Sequence, residues 1–254
     1  TGILGDAGWY KSNTTVNWPV VDPEPIILSP TGCDTRTLNT DTQATRLACT
    51  AESDGGETTL AKTFKVDKTA PATTAAPSRS ADSNGWYNHD VAVDFNGSDT
   101  TSGLESCSPD ATYSGPDTSG TTVAGTCRDI AGNTAPAMLP LKYDETAPQT
   151  SPAARPPDAN AWHNHAATVT FQGTDGTSGV ATCTQTTYSG PDDPSVALSG
   201  TCVAQAGNQS PSALFTTKYD ETPPQATATV SRPADVNGWH NHPLTVSYTG
   251  SDAT

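Results

Sequence analysis

The chain repeats itself three times and then begins a fourth copy. Trp9, Trp86, Trp162 and Trp239 open matching segments spaced 77, 76 and 77 residues apart. The closing segments keep that period: Asp67-Lys68-Thr69-Ala70-Pro71, Asp144-Glu145-Thr146-Ala147-Pro148 and Asp220-Glu221-Thr222-Pro223-Pro224. Solenoid turns recur every ~20–50 residues, so this longer period describes separate small domains. The boundaries fall at residues 1–68, 69–145 and 146–221, with an incomplete copy over 222–254.

Domains this small bury a modest share of their surface. Only 33% of residues are hydrophobic, with four Phe and one Met, so each core must be thin. Six cysteines offer reinforcement. They fall two per copy, as Cys33 and Cys49, Cys107 and Cys127, and Cys183 and Cys202. Pairing within each copy closes loops worth about 3 kcal/mol each in the chain-entropy model. Zinc is the competing use of cysteine, and no CxxC or HxxxH spacing supports it. Paired cysteines imply an oxidising, extracellular or cell-surface location.

The formal net charge of −15 argues against nucleic acid as a partner, because phosphate backbones are met by basic patches. It suits a solvated surface or calcium sites built from carboxylates. No apolar run approaches the ~18 residues of a membrane helix, so membrane insertion of this segment is not expected. No secretory leader opens the sequence, which reads as a mature or excised chain.

The second copy shows the strand pattern most clearly. Val91, Val93 and Phe95 alternate with Ala92 and Asp94, the period-two signature of a strand with one buried face. The matching positions are Thr14, Val16 and Trp18, then Ala167, Val169 and Phe171, then Leu244, Val246 and Tyr248. Polar turns follow at Gly97–Gly103 and Gly173–Gly179. Tyr-Ser-Gly-Pro-Asp from Tyr113 and from Tyr188 marks a further turn. Ala131-Gly132-Asn133 and Ala206-Gly207-Asn208 end the strand bearing the second cysteine. The last strand sets Leu139, Leu141 and Tyr143 against Lys142, and Lys65 and Lys218 recur at the same place. No segment sustains a helical period. The expectation is all-β: tandem sandwiches with one disulfide each, arranged as an extended rod.

Gly-Trp-Tyr-Asn-His-Asp-Val-Ala-Val-Asp-Phe from Gly85, Thr-Ser-Gly-Leu from Thr101, Asp-Ile-Ala-Gly-Asn from Asp129 and Tyr-Asp-Glu-Thr-Ala-Pro from Tyr143 resemble bacterial immunoglobulin-like repeats. The cysteine-bearing form is similar to the HYR-like repeats of large secreted and cell-surface proteins. That resemblance covers essentially the whole chain and implies extracellular modules serving as stalks, adhesin shafts or spacers. It implies no catalytic residues. The first copy departs from it, with Cys49-Thr50-Ala51 in place of the Ala-Gly-Asn turn and only eight residues before Trp9. A missing first strand is expected there. The fourth copy lacks cysteines and is not expected to fold alone.

Three kinds of site compete with plain structure. Asp67, Asp144 and Asp220 recur at the domain exits, and Asp99, Asp175 and Asp252 recur in the turn after the second strand. Where an exit meets the next copy's turn, such oxygens could hold calcium; otherwise aspartate simply suits turns. Trp86, Trp162 and Trp239 could stack on a sugar, although tryptophan is more often packed away. His163 and His165 lie two apart on a strand, which could make half a zinc or copper site. The fold itself requires no cofactor, and calcium is the one these carboxylates could take.

No G-x-S-x-G, H-E-x-x-H or P-loop pattern is present, and the reading is non-enzymatic. A structural array acting as stalk, spacer or adhesin shaft comes first, its partners being the neighbouring copies. One alternative is a filament subunit in which residues 225–248 complete another copy of the chain head to tail by strand addition. Another is an adhesion module that binds a cell-surface glycan or protein.

Overall fold

A computed structural model describes residues 1–21 and 29–254. The described residues are all β, with no helix among them. They form two compact units, Thr1–Asp144 and Glu145–Thr254.

Within the first unit, the second copy is a sandwich of two facing sheets. Ala111–Tyr113, Val91–Ser98 and Ala72–Pro77 make one sheet in that order. Trp86–Tyr87, Thr134–Tyr143, Thr118–Asp129 and Leu104–Cys107 make the other. The period-two face of the central strand points between them: Val91, Val93 and Phe95 are buried, against Leu141, Tyr143 and Ala137 from the opposite sheet. Tyr113 meets Tyr143 edge-on at 5.2 Å. Immunoglobulin-like sandwiches bury alternate residues of both sheets in this way.

The first copy is thinner. Trp9–Tyr10, Gly56–Val66 and Thr42–Ser53 form one sheet, and among the described strands Thr14–Val16 pairs with Arg36–Leu38. Beyond Thr14–Val16 on its other side lies Thr1, whose carbonyl accepts from Thr15 N–H at 2.8 Å. Thr14 and Val16 are buried as their alternation predicts, but Trp18 is not part of that face. The strand ends at Val16 and Pro19 follows shortly, so Trp18 sits half-buried outside the ladder.

In the second unit, Gln149–Ala154, Ala167–Thr174 and Gln185–Tyr188 form one sheet. Trp162–His163, Ala213–Tyr219 and Asp193–Gly200 form another, with the pair Val180–Cys183 and Cys202–Ala204 beside it in sequence. Val169, Phe171, Val196, Leu198 and Tyr219 make the core. The fourth copy is a single hairpin, Gln225–Val230 with Val246–Ser251, exposed along its length. Val246 and Tyr248 stand where Val93 and Phe95 stand in the second copy, but no second sheet of that copy covers them among the described residues.

Disulfides join Cys33–Cys49, Cys107–Cys127 and Cys183–Cys202. Cys107 is the register partner of Cys127, and Cys183 of Cys202. These two bonds therefore staple neighbouring strands to each other rather than one facing sheet to the other.

The turn before each tryptophan strand holds two residues at positive φ, Ala7 and Gly8 at 50° and 77° in the first copy. Asn84 and Gly85 lie at φ 49° and 79°, and Asn237 and Gly238 at 52° and 86°. The third copy puts Asn160 and Ala161 there, at 49° and 69°. A left-handed alanine carries a Cβ penalty that glycine avoids. Ala161→Gly should therefore stabilise the second unit by about 0.5–1 kcal/mol, after glycine's larger unfolded-state entropy is counted. Urea unfolding of the two proteins would show it as a higher midpoint at unchanged slope.

Candidate metal centre

Three carboxylates from three places in the first unit converge at the junction of its two copies. Asp67 follows the last strand of the first copy, and its N–H donates to Tyr10 O at 2.8 Å. Asp99 follows Val91–Ser98, and Asp129 ends Thr118–Asp129. One oxygen from each lies within 4.8 Å of the others. Asp67 and Asp129 are fully buried, and Asp99 is half-buried.

Backbone donors set each carboxylate in place. Asp99 Oδ1 accepts from the N–H groups of Thr101, Ser102 and Gly103 at 3.0, 2.8 and 2.9 Å. Asp67 Oδ2 also accepts from Ser102 N–H at 3.1 Å, so the second copy's turn is tied to the first copy's exit. Asn133 donates to Asp129 through its backbone N–H at 2.7 Å, and its side-chain amide reaches Asp129 Oδ2 and Asp67 O. Among the described residues, no Lys, Arg or His forms an ion pair with any of the three.

The electrostatic result is a concentration of negative charge out of water. Burial pushes the Asp67 carboxyl above its ordinary 3.8, and the Asp99 and Asp129 charges push the same way, against hydrogen bonds from Ser102 and Thr69. Buried like charges favour protonation or a bound cation. The donor set is all oxygen, which suits a hard divalent cation such as calcium.

A second set of contacts surrounds the cluster. Asp6 N–H donates to Ala131 O at 3.1 Å, and Lys11 Nζ to Gly132 O at 3.0 Å. The Arg128 guanidinium pairs with Asp6 of the first copy and Glu105 of its own. Gln43 Nε2 donates to Thr100 O at 3.4 Å.

Of the six aspartates singled out in the sequence, Asp67 and Asp99 come together here. Asp144 is fully buried at the end of the first unit. In the second unit, Asp175 repeats the Asp99 turn, accepting from Thr177, Ser178 and Gly179 at 3.1, 2.9 and 2.8 Å. Asp220 accepts from Thr222 N–H at 3.1 Å, and Asp252 is exposed and accepts from Ala253 N–H.

Asp129 escapes a reading based on recurrence because it does not recur: the third copy has Ala204 in its place. Ala204 makes the same turn, donating to Asn208 O at 2.8 Å as Asp129 does to Asn133 O at 3.1 Å. The turn does not need the carboxylate. That contrast was the available signal.

The tryptophans are clamped by the lysines of the last strands. Trp9, Trp86 and Trp162 are parallel register partners of Lys65, Lys142 and Lys218. The ammonium groups lie 5.4, 5.6 and 5.3 Å from the rings, within cation–π range. Trp239 is 78% exposed.

The histidine pair does not make a half-site. His163 is fully buried, while His165 is exposed with its Nδ1 3.8 Å from Asp158. His89 and His242 repeat the latter arrangement with Asp82 and Asp235. Arg79, Arg155 and Arg232 pair with those three aspartates, a clip not seen in the sequence.

No family model and no curated protein matches this chain. Among solved structures, it is similar to part of a 1.5-MDa bacterial ice-binding adhesin, at 12% identity and TM-score 0.33, over 74% of this chain and 80% of that one. It is similar to a tetra-tandem repeat in the extending region of a large adhesion protein, at 13% identity and TM-score 0.31, over 86% and 74%. The N-terminal eight Ig domains of Down Syndrome Cell Adhesion Molecule align at 8% identity and TM-score 0.23, over 84% and 39%.

Proposed function

We propose that this chain is a non-catalytic extracellular shaft, a run of sandwiches that spaces or displays something beyond a cell surface. One observation carries the reading: the first two copies are interlocked rather than strung on a free linker. Ser102, Asn133, Arg128 and Lys11 all reach across that boundary, and the two copies fall in one compact unit. A joint of this kind resists bending, which a spacer needs and a solitary binding module does not. The disulfides fit an oxidising compartment. The lysines seated over Trp9, Trp86 and Trp162 favour packing over sugar stacking as the role of those rings.

Calcium at Asp67, Asp99 and Asp129 is part of the same reading. A divalent cation would offset the buried charge and fasten the exit of one copy to the turn of the next. Extracellular modules commonly bind calcium at about 0.1–1 mM. At one hundred times the dissociation constant, binding adds about 2.7 kcal/mol of stability.

Isothermal titration of the full chain with calcium, after chelator treatment, tests this. One saturable site that disappears in Asp129→Ala is expected, since Ala204 makes the same turn without a carboxylate. An Asp129→Ala protein that binds calcium like the parent would remove the site. Light scattering on the same sample tests the shaft itself: the monomer mass with and without calcium supports it. A multiple of that mass would replace the spacer with a self-assembling filament.

A further inference from the structure

The third copy differs from the first two at the position after its tryptophan. Where they have Tyr10 and Tyr87, it has His163, as the fourth copy has His240. Tyr87 is served by its surroundings: its hydroxyl donates to Arg79 O at 3.4 Å, and the Arg79 guanidinium lies 5.0 Å from the ring. His163 is fully buried, yet neither Nδ1 nor Nε2 has a hydrogen-bond partner. Its backbone is fixed, in parallel register with Tyr219 and with its carbonyl accepting from Asp220 N–H at 2.9 Å.

Charge at that ring has nowhere to go. Arg155 and Asp158 stand on the approach to its own short strand, bound to each other at 2.7 Å. Lys218 and Tyr219 lie on the paired strand, and Asp193 begins the strand beyond it. Asp158 is already committed to Arg155 and accepts from Asn164 N–H. Tyr219 donates to Glu221. The group left to receive an imidazolium proton is therefore water. A cavity of about 570 Å³, lined by His163 with Arg155, Pro157, Ser195, Thr217 and Lys218, opens beside the ring.

We propose that His163 is an acid-sensitive latch, built into the third copy, which loosens that copy when its ring takes up a proton. The charged imidazole leaves its dry seat for the neighbouring cavity, and the parallel pairing of Trp162–His163 with Ala213–Tyr219 is released with it. Burial holds the His163 ring below its ordinary 6.5, with Arg155 adding to the effect and Asp158 opposing it. The sign follows from linkage. The unfolded chain binds the proton first as pH falls below about 6.5, so stability is full above that pH and declines as pH drops through the folded value. Each unit separating the folded and unfolded values weakens folding about tenfold at the acid limit.

The test uses the full chain with its disulfides intact. Ring resonances of His163 are followed from pH 7.5 to 4.5, alongside hydrogen exchange of the Ala167–Thr174 amides corrected for intrinsic rate. The expected result is a His163 titration below the ordinary 6.5, and about tenfold or greater loss of protection by pH 4.5. His163→Tyr, which installs the second copy's arrangement, should abolish most of that loss; His163→Phe serves as a second variant should the tyrosine pack poorly. An ordinary His163 titration near 6.5, or an acid loss that is the same in parent and variants, would overturn the proposal.

Discussion

Phe171→Ala should bring the third copy close to its unfolding threshold. The ring is 1% exposed and packs with Val169, Val196, Leu198 and Tyr219. Deleting a buried phenylalanine costs about 3–5 kcal/mol, and a small domain has only about 5 kcal/mol or somewhat more to lose. The fit is specific as well as apolar. A Cβ added at Gly200 would lie 2.3 Å from the Phe171 ring, and one at Gly125 would lie 2.7 Å from Phe95. Each ring thus rests on bare backbone of the facing strand. Gly200→Ala alone should cost about 1–3 kcal/mol by overpacking. Combined with Phe171→Leu it should cost less than the two changes summed, by about 0.5–3 kcal/mol of coupling. Urea unfolding of the four proteins gives the cycle, and strict additivity would contradict the contact.

The second large effect concerns Cys183–Cys202. Its loop separation of 19 residues corresponds to about 3 kcal/mol in the chain-entropy model. Val180–Cys183 and Cys202–Ala204 form a two-stranded sheet, whereas Leu104–Cys107, likewise paired with one strand, edges a four-stranded sheet. Removing the bond as Cys183→Ala with Cys202→Ala should therefore expose the amides of Val180–Cys183 first. The corresponding change at Cys107 and Cys127 should leave Leu104–Cys107 better protected. Hydrogen exchange read by mass spectrometry checks both. Equal loss of protection in the two copies would show that the sheet context does not matter.

The strands were legible because the sequence states them more than once. Val91, Val93 and Phe95 alternate, and the third copy repeats the face with Ala167, Val169 and Phe171, all buried. Recurrence also served the carboxylates, bringing Asp67 and Asp99 to attention, and failed at Asp129, which the third copy replaces by Ala204. The same bias hid the role of the lysines. Alternation puts Lys142 on the face away from the core, but nothing local shows that a two-residue strand 56 residues earlier lays Trp86 beneath it. Non-local parallel pairing leaves no periodic trace. Trp18 misled for a related reason: its alternation continues that of Thr14 and Val16, but the glycine that seats an aromatic ring in later copies is Leu47 in the first.

The short parallel pairing also decides how a copy meets tension. In the second copy, Trp86–Tyr87 follows the opening strand Ala72–Pro77 and runs in the same direction as Lys142 and Tyr143, which end the copy. Once Ala72–Pro77 has come away from Val91–Ser98, pulling the chain by its two ends drags these strands past each other lengthwise. Their hydrogen bonds and the Trp86–Lys142 stack are then loaded together, not opened one at a time like a zip. Rupture requires all of them to fail at once. The tryptophan that marks each of the first three copies in the sequence therefore also sits on the clasp that keeps the copy shut under load.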